Sequence, residues 1–488
     1  MFKDIMYHEL KNIIFSPKFS AAFITCSILI LLSVSIGIGH YKNSLKQYQT
    51  TNNLTNQEMR EQKDWMALSN KIVRKPDPMQ IFSSGITDDI GRFSSISSIN
   101  GIKLTNSIYS DDLIYSIFRF IDFSFIVIVV LSLLAILFTY DLINGEREKG
   151  TLQLLFSNPL PRAVFLSAKL TGAWLGLVIP VLIPLLLSIL LLLVFSIPLN
   201  FDHWVRLISL FGVSILFFTF FIVLGALIST LTRRSQVSFL ISLVCWLCLI
   251  FIIPRLGIIT AGQLIKVPGI AEVEGQRDGY AKNLWDKYFS DSGLRWQKRN
   301  AGQENWSKQD RENFRDANMW QWMEEEDKER KLVEVEIDRH NRMLMEDMRN
   351  KKNEQEKLAF SIARFSPASA YQFAAMNLAG TNLNLKTRYE DAMNHYREQF
   401  NEYKEKKRKT LGETGGIRVQ VSSDGTFKID GGREKGNLDL SEMPVFNYPA
   451  EKLNEAFKTV AVDSGILAFS IILCFAASLF CFFRNDLR

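Results

Sequence analysis

Residues that could catalyse a reaction or bind a metal are few in this chain and do not form known motifs. The five histidines are scattered at positions 8, 40, 203, 340 and 395, and no H-E-x-x-H zinc pattern occurs. The pattern G-x-x-x-x-G-K-S/T is also absent, so we expect no ATP site on this chain. Cys245 and Cys248 have a metal-ligand spacing, but they lie in an apolar stretch without a second pair. We therefore predict no catalytic, cofactor-binding or metal-binding residue and no enzymatic activity.

The composition excludes several other classes of protein. The chain has 488 residues, 47% of them hydrophobic, which is too many for a disordered protein. Five cysteines are too few for a disulfide-rich scaffold. The net charge of +6 is small for a chain of this length and does not favour a nucleic-acid partner.

The apolar residues are concentrated in long stretches that lack any charged residue. About 20 apolar residues are needed for a helix to cross the hydrocarbon core of a bilayer. Core helices of a soluble protein rarely contain such runs, and this chain is too short to bury so many of them. These stretches predict a mainly α polytopic membrane protein with six transmembrane helices; they cover residues 19–39, 123–140, 170–201, 207–232, 235–254 and 464–483.

The distribution of lysine and arginine predicts the orientation of these helices. With the N-terminus in the cytoplasm, the short cytoplasmic segments carry most of the excess basic residues, whereas the short outer loop at 198–206 carries only Arg206, against Asp202. Both termini are then cytoplasmic, and two long segments lie outside. The predicted organisation is a cytoplasmic N-terminal segment 1–18, first span 19–40, first outer segment 41–112, second span 113–140, cytoplasmic loop 141–169, third span 170–197, fourth span 207–231, fifth span 235–254, large extracytoplasmic domain 255–463, sixth span 464–483 and cytoplasmic tail 484–488.

The N-terminal segment and the third span carry further packing signals. Apolar residues recur with helical spacing over 2–15, which predicts an amphipathic helix lying at the membrane interface and ended by Ser16-Pro17. Glu9 falls on its polar face. In the third span, Gly172 and Gly176 have the spacing of a helix-packing face, and two prolines predict a kink.

The loop after the second span contains the most informative motif. Glu146 and Glu148 come just below the membrane, and Thr151 is predicted to cap a short helix that ends before Asn158-Pro159. The helix is rich in leucine, so its apolar side must be covered by lipid or by a partner protein. We therefore select this loop as the candidate partner contact, comprising Glu146, Glu148, Gly150, Thr151, Leu152, Leu155, Phe156, Ser157, Pro159 and Arg162.

This loop resembles the first cytoplasmic loop of ABC-2 type transporter permeases. In that family it reads E-x-E-x-G-T-L-x-x-L-L-S-x-P, followed by an arginine and a lysine, here Arg162 and Lys169. Phe156 replaces the usual third leucine. The stretch 364–381 is similar to a subgroup with a large extracytoplasmic domain before the last span, which includes gliding-motility permeases and the permease for nitrous oxide reductase maturation.

The resemblance implies a permease subunit of an ATP-driven exporter in the bacterial cytoplasmic membrane. Its loop would dock on a separate ATP-binding-cassette ATPase, which would bind ATP and magnesium, and a second permease would complete the dimer. The near absence of ionisable residues in the spans argues against an ion-coupled transporter. The alternative is a mechanotransmitter that drives an extracytoplasmic protein without moving a substrate.

The outer segments give weaker signals. Arg119 and Asp122 are spaced to form an ion pair at the outer edge of the second span. Residues 320–357 predict a long amphipathic helix, paired with 386–409, and 417–430 predict a β-hairpin around Asp424-Gly425. The basic run 404–409 is expected to be a solvated face. Five tryptophans between 285 and 322 are expected to serve packing rather than to line a substrate groove or the membrane interface.

Overall fold

A computed structural model describes residues 2–62, 65, 68–91, 93–96, 121–157, 160–302, 306–410, 418–421, 427–430, 438 and 440–484. The chain forms two compact units. The first comprises Met1–Ile252 and Arg364–Arg488, and the second comprises Ile253–Ala363.

The described part of the chain contains six helices that are long and apolar enough to cross a membrane, as predicted. They are α2 (Pro17–Arg60), α3 (Phe123–Glu148), α5 (Arg162–Val194), α6 (Phe201–Leu231), α7 (Ser235–Leu264) and α12 (Leu453–Arg484). The other helices are α1 (Phe2–Ile14), α4 (Thr151–Phe156), α8 (Ile270–Asn300), α9 (Lys308–Ala363), α10 (Pro367–Ala379) and α11 (Asn384–Thr410). Strand β1 (Asn70–Val73) pairs antiparallel with β2 (Phe93–Ile96), and β3 (Arg418–Val421) with β4 (Phe427–Asp430).

Helices α3 and α6 form the centre of the first unit. In each, 61% of the most apolar 18-residue window is buried within the chain, compared with 22–39% for the other four long helices. The two helices approach closely at Gly225, where a Cβ atom would lie 2.0 Å from Thr139 Oγ1. The outer helices of the bundle therefore present more apolar surface than the central pair, as expected where the surrounding solvent is lipid.

The helix boundaries follow local signals in the sequence. Ser16 caps α2 by accepting a hydrogen bond from Phe19 N at 3.2 Å, and Pro17 occupies the first turn, where a missing N–H has no cost. Beyond the apolar window α2 continues without a break to Arg60. In α5 the helix runs through Pro180 and Pro184.

Helix α10 belongs to the first unit, although its residues fall inside the predicted outer domain 255–463. Ala370, Ala374 and Leu378 are each 0% exposed, and the helix packs against α6 and α12. Tyr371 stacks on Phe217 of α6, with ring centroids 4.9 Å apart. The small alanine side chains permit this close packing, so the chain re-enters the bundle before the last span begins.

Helix α11 also lies in the first unit, whereas the helix that contains its predicted partner, 320–357, belongs to the second. Tyr389, Met393 and Phe400 of α11 form a small second core with Trp65 and Ile72 near β1. Lys404, expected to be solvated, is 4% exposed and donates a hydrogen bond to the Leu68 carbonyl at 2.8 Å. The predicted hairpin at 417–430 is confirmed by the β3–β4 pairing, in which Val419 faces Ile429.

The second unit is built on a pair of long helices, α8 and α9. Tyr280 of α8 stacks on His340 of α9, with ring centroids 3.7 Å apart. Glu326 accepts hydrogen bonds from Arg295 at 3.0 and 2.9 Å, and this guanidinium lowers the pKa of the Glu326 carboxyl to about 2. Trp322 is 8% exposed and therefore serves packing, whereas Trp320 is 84% exposed.

Candidate functional site

The predicted loop 141–169, which comprises the end of α3, helix α4 and the start of α5, is attached to the bundle by its two predicted carboxylates. Glu146 Oε1 accepts a hydrogen bond from Lys169 Nζ of α5 at 2.7 Å, and its second oxygen accepts one from the Thr151 hydroxyl. Glu148 accepts two hydrogen bonds from Ser235, one from the backbone N at 2.9 Å and one from Oγ at 2.7 Å. Glu146 therefore fixes the loop to α5, and Glu148 caps the N-terminus of α7.

A buried cluster joins the same loop to the N-terminal helix. Lys169 is 5% exposed and Glu9 of α1 is 8% exposed, with Lys169 Nζ 2.9 Å from Glu9 Oε2. Glu9 was expected on a polar, outward face of α1. It is buried instead because the side chain of Lys169, flanked by Glu9 and Glu146, requires carboxylate partners where water is excluded.

The Gly172 and Gly176 face of α5 receives α1. A Cβ atom on Gly172 would lie 2.6 Å from the Met6 carbonyl oxygen, which is closer than any real contact. Gly176 faces Ile13 at ordinary van der Waals distance. The glycine pair therefore packs against α1 rather than against another of the long helices.

Gly150 is the residue that precedes the short helix α4, and it adopts the left-handed conformation with φ of +71°. A side chain at this position would be strained, so the glycine determines the turn between α3 and α4. Thr151 was expected to cap the helix with its side chain. It is the first helical residue instead, and its hydroxyl donates to Glu146.

The side chains of α4 divide into a buried face and an exposed face. Leu152 is 2% exposed and packs in the core, whereas Leu154, which the sequence analysis did not select, is 71% exposed. Leu155 and Phe156 are half-buried, and the Phe156 ring lies 5.3 Å from that of Phe165. Leu152 is therefore not free to contact a partner, and Leu154 is the apolar side chain that α4 presents.

The end of the loop is fixed to the last long helix. Arg162 Nη1 donates a hydrogen bond to the carbonyl of Phe483 at 2.8 Å, near the C-terminus of α12. Ser157 Oγ donates to the Leu154 carbonyl at 2.7 Å and ends α4. Pro159 lies outside the described residues.

A second attachment joins the loop to the connection between α6 and α7. Asn144 is 1% exposed, and its Nδ2 donates to Thr232 Oγ1 at 2.9 Å. The backbone N of Asn144 donates to Ser229 Oγ at 3.2 Å. These polar contacts were missed because asparagine and serine next to an apolar window give no pattern in the sequence.

Of the ion pair predicted between Arg119 and Asp122, at the opposite end of the bundle, the structure describes only Asp122. Arg119 lies outside the described residues. Asp122 caps α3 by accepting a hydrogen bond from Phe125 N at 2.8 Å, and its other oxygen accepts one from Ser84 N at 3.1 Å. Asp122 therefore stabilises the start of the helix and the loop that crosses it.

The described residues thus form six apolar helices and a short helix, α4, that is attached to them. A family model described as ABC-2 family transporter protein matches residues 4–487, so the chain belongs to the ABC-2 transporter family. It is a multi-pass membrane protein and a permease component of an ABC transporter, and its family implies an ABC ATPase subunit as partner. No curated protein matches the chain.

Proposed function

We propose that the chain couples ATP hydrolysis by a separate ATP-binding-cassette subunit to the export of a substrate from the cytoplasm or the membrane. The loop end of the bundle, which carries α4, would face the cytoplasm of a bacterial cell, and two copies of the chain would form the transporter. ATP and magnesium would bind only to the partner. The observation that carries this proposal is the exposure of Leu154 on a helix that is otherwise fixed to the bundle.

The contact surface would be the exposed side of α4. Gln153, Leu154 and Ser157 are exposed, while Leu152 on the other side is buried. An exposed leucine flanked by polar groups suits a groove on a partner protein, where burying it contributes about 1.5–3 kcal/mol. Leu152, Leu155 and Phe156 would support the helix from within.

The attachments of the loop would carry a displacement of α4 into the long helices. Glu146 connects it to α5 and, through Lys169, to Glu9 of α1. Glu148 connects it to α7, and Arg162 connects it to α12. Each link is a charge-assisted hydrogen bond, which is shorter and stronger than a neutral one.

The test is Leu154→Asp in the full chain co-expressed with a candidate ABC ATPase subunit. Since Leu154 is 71% exposed, the substitution should leave the fold intact and reduce the amount of co-purified ATPase at least tenfold. Leu154→Met is the matched control and should retain the ATPase, because it keeps an apolar side chain of similar size. Unchanged co-purification with Leu154→Asp would contradict the proposed contact.

Mechanotransmission is a second candidate, favoured by the dimensions of the second unit. Helix α9 has 56 residues, which corresponds to about 84 Å. A helix of this length suits a lever that acts on an extracytoplasmic protein. Distances between spin labels on α8 and α9, measured with and without ATP in the complex, should change if the unit transmits force and should stay constant if the chain only exports.

A further inference from the structure

A cavity of about 350 Å³ lies in the first unit at the end of the bundle opposite α4. Its walls come from residues 74–78, 80 and 87, the start of α6, the turn after α10, the first turns of α11 and residues 448–451. This volume is within the range of small-molecule sites. The lining is unusually rich in charged residues for a position beside apolar helices.

In the part of the chain that the structure describes, the buried charge of Arg206 in the cavity wall has no carboxylate partner. It is 7% exposed, and its guanidinium donates to the carbonyls of Leu378 at 3.1 Å and Glu451 at 2.6 Å. Among the described residues, none forms an ion pair with it. The Glu451 carboxylate is instead 2.8 Å from Arg388. Burying a charge without a counter-charge costs free energy, so an anion bound in the cavity would stabilise the charged guanidinium of Arg206.

Other wall residues add hydrogen-bond donors beside Arg206. Arg74 is 7% exposed and donates to the Thr87 carbonyl at 3.0 Å. The side-chain nitrogen Nε2 of Gln80 and the Nε of Arg388 are buried without an acceptor. Nearly all buried polar groups in proteins are paired, so orphaned donors beside an uncompensated arginine favour a ligand made of acceptors.

We propose that this cavity binds a phosphate-bearing ligand, with the phosphate oxygens beside Arg206. The planar guanidinium matches a phosphate group with two parallel hydrogen bonds. Arg206 lies on the second turn of α6, close to Trp204, which is half-buried near the start of the same helix. Tryptophan is common at the level of lipid headgroups, where phosphate is the prevalent anion. The ligand is a phospholipid headgroup or a soluble phosphate ester.

The experiment measures the thermal unfolding of the purified full chain in detergent against increasing ligand concentration. The soluble probe is sn-glycerol 1-phosphate, the lipid probe is dioctanoyl phosphatidylglycerol, and sodium chloride at matched ionic strength is the salt control. We expect saturable stabilisation by at least one probe. Stabilisation by the lipid alone assigns a headgroup site, and stabilisation by the soluble probe assigns a phosphate-ester site.

Two variants with opposite expected effects make the test specific. Arg206→Met should weaken the apparent affinity at least tenfold, whereas Glu451→Gln should tighten it severalfold because it removes a nearby negative charge. Lys46→Met, which changes an exposed residue of α2 outside the cavity, should have no effect. The proposal is overturned if Arg206→Met binds the probe with wild-type affinity. It is also overturned if neither probe stabilises the wild-type chain more than sodium chloride does. If Arg206→Met does not fold, unchanged affinity in Glu451→Gln would overturn it.

Discussion

The two ends of the helical bundle differ in the partners of their buried basic residue. At the end that carries α4, the charge of Lys169 is flanked by Glu9 and Glu146, at 2.9 and 2.7 Å. At the other end, Arg206 is equally buried, but among the described residues only backbone carbonyls accept its hydrogen bonds. The paired charges around Lys169 hold the segment of α4 firmly against the helices, which suits the transmission of force. The unpaired charge of Arg206 suits the binding of an anionic ligand.

The largest expected effect comes from breaking the cluster at Lys169. Lys169→Met should lower the free energy of unfolding by about 3–5 kcal/mol, because it leaves two carboxylates close together without a counter-charge. Thermal unfolding of the purified chain measures this. Lys149→Met, which removes an exposed lysine from the same loop, should change the stability by less than about 0.5 kcal/mol.

The cluster also predicts that the changes in the free energy of unfolding of its variants do not add up. The double variant Lys169→Met with Glu146→Gln should be less destabilised than the sum of the two single variants, because the second change removes an unpaired carboxylate. Strict additivity would show that Lys169 and Glu146 do not interact, and the contrast between the two ends would then disappear.

A smaller effect is expected from separating α1 from α5. Gly172→Ala would place a methyl group 2.6 Å from the Met6 carbonyl oxygen, so α1 must shift, at a cost of about 1–3 kcal/mol. Gly212→Ala on α6 is the matched control, since nothing lies within 4 Å of its added Cβ. That variant should be neutral or slightly stabilised, as alanine favours helices. Protease accessibility of the first 16 residues reports the release of α1, and equal accessibility in both variants would argue against the packing.

The smallest effect is expected from removing a helix cap, a feature that is present at both ends of the bundle. Glu148→Ala removes the acceptor of both Ser235 hydrogen bonds at the start of α7 and should lower the melting temperature slightly. Asn200→Ala removes the cap of α6 at the opposite end and should lower it by a similar amount. Comparable melting-temperature shifts would show that the ends differ in buried charge and not in capping. A much larger shift for Glu148→Ala would show that the loop contributes more than a cap.

Features that depend on solvent or on local chain geometry were predictable from the sequence. The six long helices follow from charge-free runs, and α1, the start of α2 and the β3–β4 hairpin follow from spacing and turn residues. A short helix after Thr151 was also predictable, but its orientation was not. Leu152 and Leu154 are the same residue type in the same short helix, and only packing against the bundle determines that Leu152 is buried and Leu154 is exposed.

Features that depend on distant contacts were not predictable. Arg206 was counted only as a residue of the short outer loop 198–206, because nothing in the neighbouring residues indicates that Leu378 and Glu451 fold over it. Helix α10 fell inside the predicted outer domain because its charge-free stretch 365–385 is interrupted by serine, glutamine, asparagine and glycine and did not have the pattern of a span. Lys404 was expected to be solvated because a basic run usually is, and its acceptor, the Leu68 carbonyl, lies far away in the sequence.

The chain leaves the bundle and returns to it at neighbouring points. Residues Cys248–Ile252 of α7 form a π-helical turn, and the Leu249 carbonyl within it accepts a hydrogen bond from the Ser366 hydroxyl. Ser366 follows closely on the end of the second unit at Ala363. Segments whose ends meet on a finished scaffold can be lengthened, shortened or exchanged with little strain on that scaffold. The second unit thus has the architecture of an interchangeable module, and its residues can diversify while the bundle that carries it stays constant.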